Sequence, residues 1–103
     1  MIPFVRPAAL AVAALGLALT VSAASAQTCT PKAGEGTNTT ADGARFQAWE
    51  AVLQAYDWSV WGAMMSSNQK VGVAPGVTVR DLKSSCKPGG LGQVCVVQAR
   101  LCR

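Results

Sequence analysis

The chain has 103 residues, four cysteines, no histidine and a formal net charge of +4. Its length allows a targeting segment and one small domain. The absence of histidine excludes Ser-His and Cys-His nucleophilic pairs, and the charge is low for a cationic membrane-active peptide.

The first 26 residues are predicted to be a secretory signal peptide. One basic residue, Arg6, precedes the uncharged apolar run 8–21, and the small residues 24–26 suit cleavage after Ala26. The run is shorter than the roughly 20 residues that cross a bilayer as a helix, which favours a cleaved signal over a retained membrane anchor. Lipidation at Cys29 is an alternative, although the residues before it are not the small and aliphatic ones that this processing requires.

Cleavage after Ala26 would leave residues 27–103 as a single domain with a net charge of +3. A domain of this size buries only about 60% of its unfolded surface, and exported proteins compensate with disulfides. We therefore predict a periplasmic or secreted domain stapled by two disulfides. Its cysteines are Cys29, Cys86, Cys95 and Cys102.

In the first half of the domain, the polar segment 27–37 is predicted to be irregular and tethered by Cys29. A long amphipathic helix is predicted from Ala41 to Met65, because apolar residues recur there at steps of three and four. Gly62 weakens its last turns, and Asp57 marks a potential kink. The apolar stripe consists of Phe46, Trp49, Leu53, Tyr56, Val60 and Ala63.

The second half of the domain is predicted to form an antiparallel hairpin. Residues 71–73 are expected to begin a short strand, and Pro75-Gly76 occupies the centre of a type II turn. A strand opening at Val77 and a β-branched strand at 94–101 are joined by a glycine-rich turn at 88–92. The predicted fold is α+β, with one long helix packed on a small antiparallel sheet.

Four cysteines allow three disulfide connectivities. Cys95 and Cys102 would lie about 23 Å apart along a straight strand, whereas a disulfide needs Cα atoms within about 7 Å. Cys86 and Cys95 flank the glycine turn and would face each other across the hairpin. The preferred pairing is Cys86–Cys95 with Cys29–Cys102, and the crossed pairing Cys29–Cys95 with Cys86–Cys102 stays open.

The spacing of the cysteines and carboxylates gives little support for a metal site, a redox-active cysteine pair or a catalytic carboxylate pair. The closest cysteines have six residues between them, whereas zinc sites use C-x₂₋₄-C pairs and thiol exchange uses C-x-x-C. Glu50 and Asp57 are seven residues apart, which a solvated helix face explains equally well. We predict no catalytic residue, metal or cofactor.

The charge is unevenly distributed, with −2 on residues 27–67 and +5 on residues 68–103. A basic hairpin face would suit an anionic envelope component or an acidic protein, although a solvated strand face gives the same pattern. Trp58 and Trp61 lie off the apolar stripe, where they either stack on a ligand or pack in the core. The candidate binding face comprises Arg80, Lys83, Lys87, Arg100, Trp58 and Trp61.

Residues 46–102 resemble a loose group of short exported proteins of unknown function from Gram-negative bacteria. The resemblance lies in an aromatic helix with Trp49, Tyr56, Trp58 and Trp61, followed by a hairpin that ends in Cys-x₆-Cys. This chain departs from the group in lacking a proline before the last cysteine and in its longer helix–hairpin connection. The resemblance implies the fold and the exported compartment, and it supplies no functional residue.

These features favour a small exported non-enzymatic interaction domain. A cationic membrane-active or inhibitory peptide is one alternative, and a small enzyme or enzyme subunit is another. Nucleic acid is not an expected partner of an exported domain, and no transmembrane segment is expected after signal cleavage.

Overall fold

The computed structural model of the protein describes residues 27–103, and the predicted signal peptide lies outside them. The domain has the α+β fold predicted from the sequence, with a three-stranded antiparallel sheet and two disulfides. In chain order its elements are β1 (Cys29–Asn38), α1 (Ala41–Tyr56), α2 (Trp58–Ser67), β2 (Thr78–Gly89) and β3 (Gly92–Cys102).

The sheet order is β1-β3-β2, so the last strand of the chain lies in the centre. The prediction that residues 27–37 are irregular is wrong, because ten residues from Cys29 form strand β1. β1 pairs with β3 along its whole length, from Cys29 opposite Cys102 to Asn38 opposite Gln93. Its polar, glycine-containing sequence has low strand propensity, and the pairing partner that stabilises it lies far along the chain.

The predicted long helix is two helices, which is a correction to the sequence prediction. Asp57 separates them with an extended backbone (φ −166°, ψ 117°), and its carboxylate accepts a hydrogen bond of 2.8 Å from the Ser59 N–H at the start of α2. This is an N-cap, which satisfies one of the free N–H groups of the second helix. The residue flagged as a kink therefore ends one helix and begins the next.

The core lies between the helices and one face of the sheet, which we call the inner face. Trp49 and Leu53 of α1 are fully buried against Val97 and Leu101 of β3. The indole Nε1 of Trp49 donates a 3.0 Å hydrogen bond to the Val73 carbonyl. This bond ties the connection between α2 and β2 to the core.

That connection consists of two turns. The predicted type II turn at Pro75-Gly76 is confirmed: Gly76 has φ +77°, and the Val77 N–H donates to the Ala74 carbonyl at 3.0 Å. The predicted strand at 71–73 is wrong, because a similar turn places Gly72 at φ +92°.

The predicted hairpin is confirmed, with β2 and β3 joined through Gly90 and Leu91. Gly90 has φ +56°, as the first central position of a tight hairpin turn requires. Among the described residues, no helix is long and apolar enough to cross a membrane.

Candidate binding face

The side of the sheet away from the helices carries the predicted basic cluster. We call it the outer face. Alternate residues of a strand point to opposite faces, and the even-numbered residues of β3 from Val94 to Cys102 point outward. Arg80, Lys83 and Lys87 lie opposite Arg100, Gln98 and Val94 respectively, so all four predicted basic residues share this face.

An irregularity in β2 is what brings these cations together. Arg80 and Lys83 are three residues apart, so a regular strand would place them on opposite faces. The register shifts between them, and Asp81 within the shift has φ +53°. Such a bulge places an extra residue in one strand and reverses the facing of those beyond it. Aspartate tolerates this left-handed backbone better than most residues.

Two of the four cations have polar partners. Arg100 donates from Nη1 to Oδ2 of Asp81 at 3.1 Å, and Arg80 donates from Nη2 to Oε1 of Gln27 at 3.3 Å. Both arginines are exposed, so these contacts contribute little to stability. Lys83 and Lys87 have no ion-pair partner within the described part of the chain.

The middle of the outer face is less polar than its basic border. Val94 and Val96 of β3 are half-buried and lie opposite Thr37 and Glu35 of β1 respectively. Shallow open depressions lined by the two valines, Glu35, Lys83 and Lys87 follow the strands. The outer face therefore has basic residues along β2 and at Arg100 of β3, and two valines near its centre. Glu35 is a carboxylate on the β1 side of this face.

The helix side of the molecule has no comparable excess of cations. Asp42, Glu50 and Asp57 lie in the helices or between them, and the cations on the same side are Arg45, Lys70 and Arg103, so carboxylates and cations balance there. Helix α1 packs on the inner side of the sheet, and α2 packs on α1. Within residues 27–103, nothing packs over the outer face. The excess of cations is therefore confined to the outer face of the sheet.

The two tryptophans assigned to the predicted face do not join the cations. Trp58 and Trp61 lie on α2 in the helix layer, with ring centroids 5.3 Å apart in an edge-to-face arrangement. Trp61 is half-buried and donates from Nε1 to Oε2 of Glu50 at 3.0 Å, whereas Trp58 is 62% exposed. The structure therefore divides the six residues into a basic sheet face and an aromatic pair on the other side of the molecule.

A cluster around Asp57 was not anticipated from the sequence. Arg103 donates from Nη2 to Oδ2 of Asp57 at 2.8 Å, and its guanidinium lies 4.8 Å from the ring centroid of Tyr56. The hydrogen bond from the Ser59 side chain, followed by that from Arg103, lowers the pKa of Asp57 to about 2. The carboxylate is fully engaged by its neighbours, which indicates a structural role.

The four cysteines form Cys29–Cys102 and Cys86–Cys95, the pairing preferred from the hairpin geometry. Cys102 points to the outer face, whereas the Cys95 sulfur lies 3.5 Å from the Ala41 carbonyl on the inner face. No group of three or more potential metal ligands occurs among residues 27–103. The two disulfides therefore link the edge strands β1 and β2 to the central strand β3.

No family model matches the chain, and the searches of curated proteins and of solved structures give no match either.

Proposed function

We propose that this protein is a small exported, non-enzymatic interaction domain that binds an anionic partner through the outer face of its sheet. One observation carries the proposal. Arg80, Lys83, Lys87 and Arg100 lie on one face that no other described element covers, whereas cations and carboxylates balance on the helix side.

The excess of cations on one face gives the domain a preferred orientation toward an anionic surface or protein. Clustered charges of one sign attract an oppositely charged partner over distances near the Debye length, about 8 Å at physiological salt. Lys83 and Lys87 are the most available of the four cations, because Arg80 and Arg100 already have polar partners. We assign them the main role in the contact.

The two disulfides support the exported setting of the proposal. Disulfides persist in oxidising compartments and are rare in the cytosol. Together with the predicted signal peptide, they direct the search for the partner to the periplasm or the extracellular space.

The test compares two variants that lose the same charge from opposite sides of the molecule. Lys83→Gln/Lys87→Gln removes two cations from the outer face, whereas Arg45→Gln/Lys70→Gln removes two from the helix side, where both residues line one shallow depression. The readout is co-fractionation of the exported protein with the cell envelope at increasing salt.

We expect the outer-face variant to leave the envelope fraction at lower salt than the wild type, and the helix-side variant to behave like the wild type. Equal retention of all three proteins would overturn the proposal. Equal loss in both variants would show that net charge matters and the face does not, which would also overturn it.

A further inference from the structure

Strand β2 is an edge strand that the rest of the domain leaves open. Helix α1 packs on β1 and β3 and hardly touches β2. Nine of the twelve residues of β2 are exposed. Both faces and the free edge of this strand are therefore accessible, which is the arrangement that binding by strand addition requires.

The disulfide register identifies which backbone groups point out from this edge. The Cα atoms of Cys86 and Cys95 are 4.1 Å apart, the short spacing of a non-hydrogen-bonded antiparallel pair. The N–H and C=O of Cys86 therefore point away from β3, and so do those of Ser84, two residues earlier. Pro88 belongs to the same set, so its missing N–H costs no hydrogen bond within the sheet.

The side chains along the edge select the charge of an added strand. Lys83 and Lys87 flank Ser85 on the outer face and have no ion-pair partner among residues 27–103. Lysines, a bulge and a proline on an edge strand hinder pairing with a second copy of the same strand. Between the bulge and Pro88 only the lysines discriminate by charge, because they would repel a second copy of this strand but would lie next to the carboxylates of an acidic one.

We infer that the free edge of β2, over residues 83–88, binds an extended acidic segment of a partner protein as a fourth strand of the sheet. The inference rests on the proposed function and specifies its partner. Ser84 and Cys86 supply the outward-pointing N–H and C=O groups, and Lys83 and Lys87 supply the charge selectivity.

The probe is a blocked peptide of alternating glutamate and valine, eight residues long, which places all its carboxylates on one face of a strand. Its binding is compared for the wild type, Ser84→Pro and Ser84→Ala. Ser84→Pro removes an outward-pointing N–H and blocks the edge without changing the charge, and Ser84→Ala is the matched control. Intact mass with both disulfides formed and an unchanged circular dichroism spectrum establish that the proline variant is folded.

We expect the wild type and Ser84→Ala to bind alike and Ser84→Pro to bind about tenfold more weakly or worse, since hydrogen bonds at the edge are lost. Lys83→Gln/Lys87→Gln should also bind more weakly. In the wild type, hydrogen exchange of the Ser84 and Cys86 amides should slow on addition of the peptide. This last measurement does not depend on any variant folding.

The outcomes separate the inference from the proposed function. If Ser84→Pro binds like the wild type, or the two amides stay unprotected, strand addition is overturned while the lysine-dependent envelope contact stands. A dimer that protects the same amides without peptide would also overturn the inference, because the occupant would be a second copy. If the lysine variant keeps both activities, the proposed function fails as well.

Discussion

Asp57 joins three parts of the molecule through its backbone and its side chain. Its backbone N–H donates to the Leu53 carbonyl at the end of α1, and its carboxylate accepts from Ser59 at the start of α2. The same carboxylate accepts from Arg103, 46 residues later in the chain. The helix boundary could be suspected from a local sequence feature, but the contact with Arg103 depends on the tertiary fold.

The first prediction concerns the pH dependence that Asp57 gives to folding. Its pKa falls from 3.8 to about 2 in the folded protein, so the folded state favours the charged form. A lowered folded-state pKa contributes stability that is complete above pH 4 and is lost as the pH falls toward 2. We therefore expect Asp57→Asn, which keeps a capping side chain, to lower the urea midpoint at pH 7 and to converge with the wild type near pH 2.

Urea titrations of the oxidised wild type and variant at half-unit steps from pH 2 to 5 provide the measurement. A constant difference in midpoint over this range would show that the charge of Asp57 does not contribute. Arg103→Gln removes the second-largest cause of the lowered pKa, so its acid dependence should lie between those of the wild type and Asp57→Asn.

At the level of elements, helix α1 lies directly against strand β1. Gly34 and Gly36 face the helix, and a Cβ atom on Gly36 would collide with the Ala44 carbonyl oxygen and lie 2.6 Å from the Ala48 nitrogen. Small residues on both sides let the helix lie directly on the strand. Gly34 and Gly36 favoured the prediction of an irregular segment, and they are also the residues that allow α1 to lie close to β1.

The second prediction follows from this contact. Gly36→Ala should lower the free energy of unfolding by about 1–3 kcal/mol, because α1 must move to accommodate the methyl group. Gly62→Ala is the matched control: apart from its chain neighbours and the backbone of its own helix, no atom lies within 4 Å of the added Cβ, and alanine favours a helix by about 1 kcal/mol over glycine. Urea unfolding of both variants should therefore show shifts of opposite sign, and shifts of the same sign would contradict this account.

The elements differ in how far the sequence predicts them, and the range of their contacts explains the difference. The hairpin is local, with a glycine turn between β-branched residues, and it was predictable. Strand β1 pairs with β3, which lies at the other end of the domain sequence, so no local sequence pattern predicts it. The basic face was predictable as a cluster of charges, but its common orientation depends on the bulge at Asp81, and the separation from Trp58 depends on the layer in which α2 packs.

At the level of the whole molecule, charge and covalent links have separate tasks. The outer face carries an excess of cations that the helix side lacks, and this difference orients the domain toward an anionic partner. One disulfide links β1 to the end of β3, and the other links β2 to β3 near the opposite end of the sheet. The sheet is covered on one face only, so the core between it and the helices is small. The disulfides stabilise this small core against unfolding.

The third prediction ranks the two disulfides. Cys29–Cys102 spans 73 residues and Cys86–Cys95 spans nine, and the entropy removed from the unfolded chain grows with loop length. Loop closure gives about 4.5 kcal/mol for the long link and about 2.5 kcal/mol for the short one. A single core of this size rarely supplies more than about 3–5 kcal/mol of net stability. We expect Cys29→Ser/Cys102→Ser to be largely unfolded at 37 °C and Cys86→Ser/Cys95→Ser to stay folded with a lower urea midpoint. Circular dichroism of the two variants without reductant checks this order, and greater stability of the variant lacking the long link would contradict it.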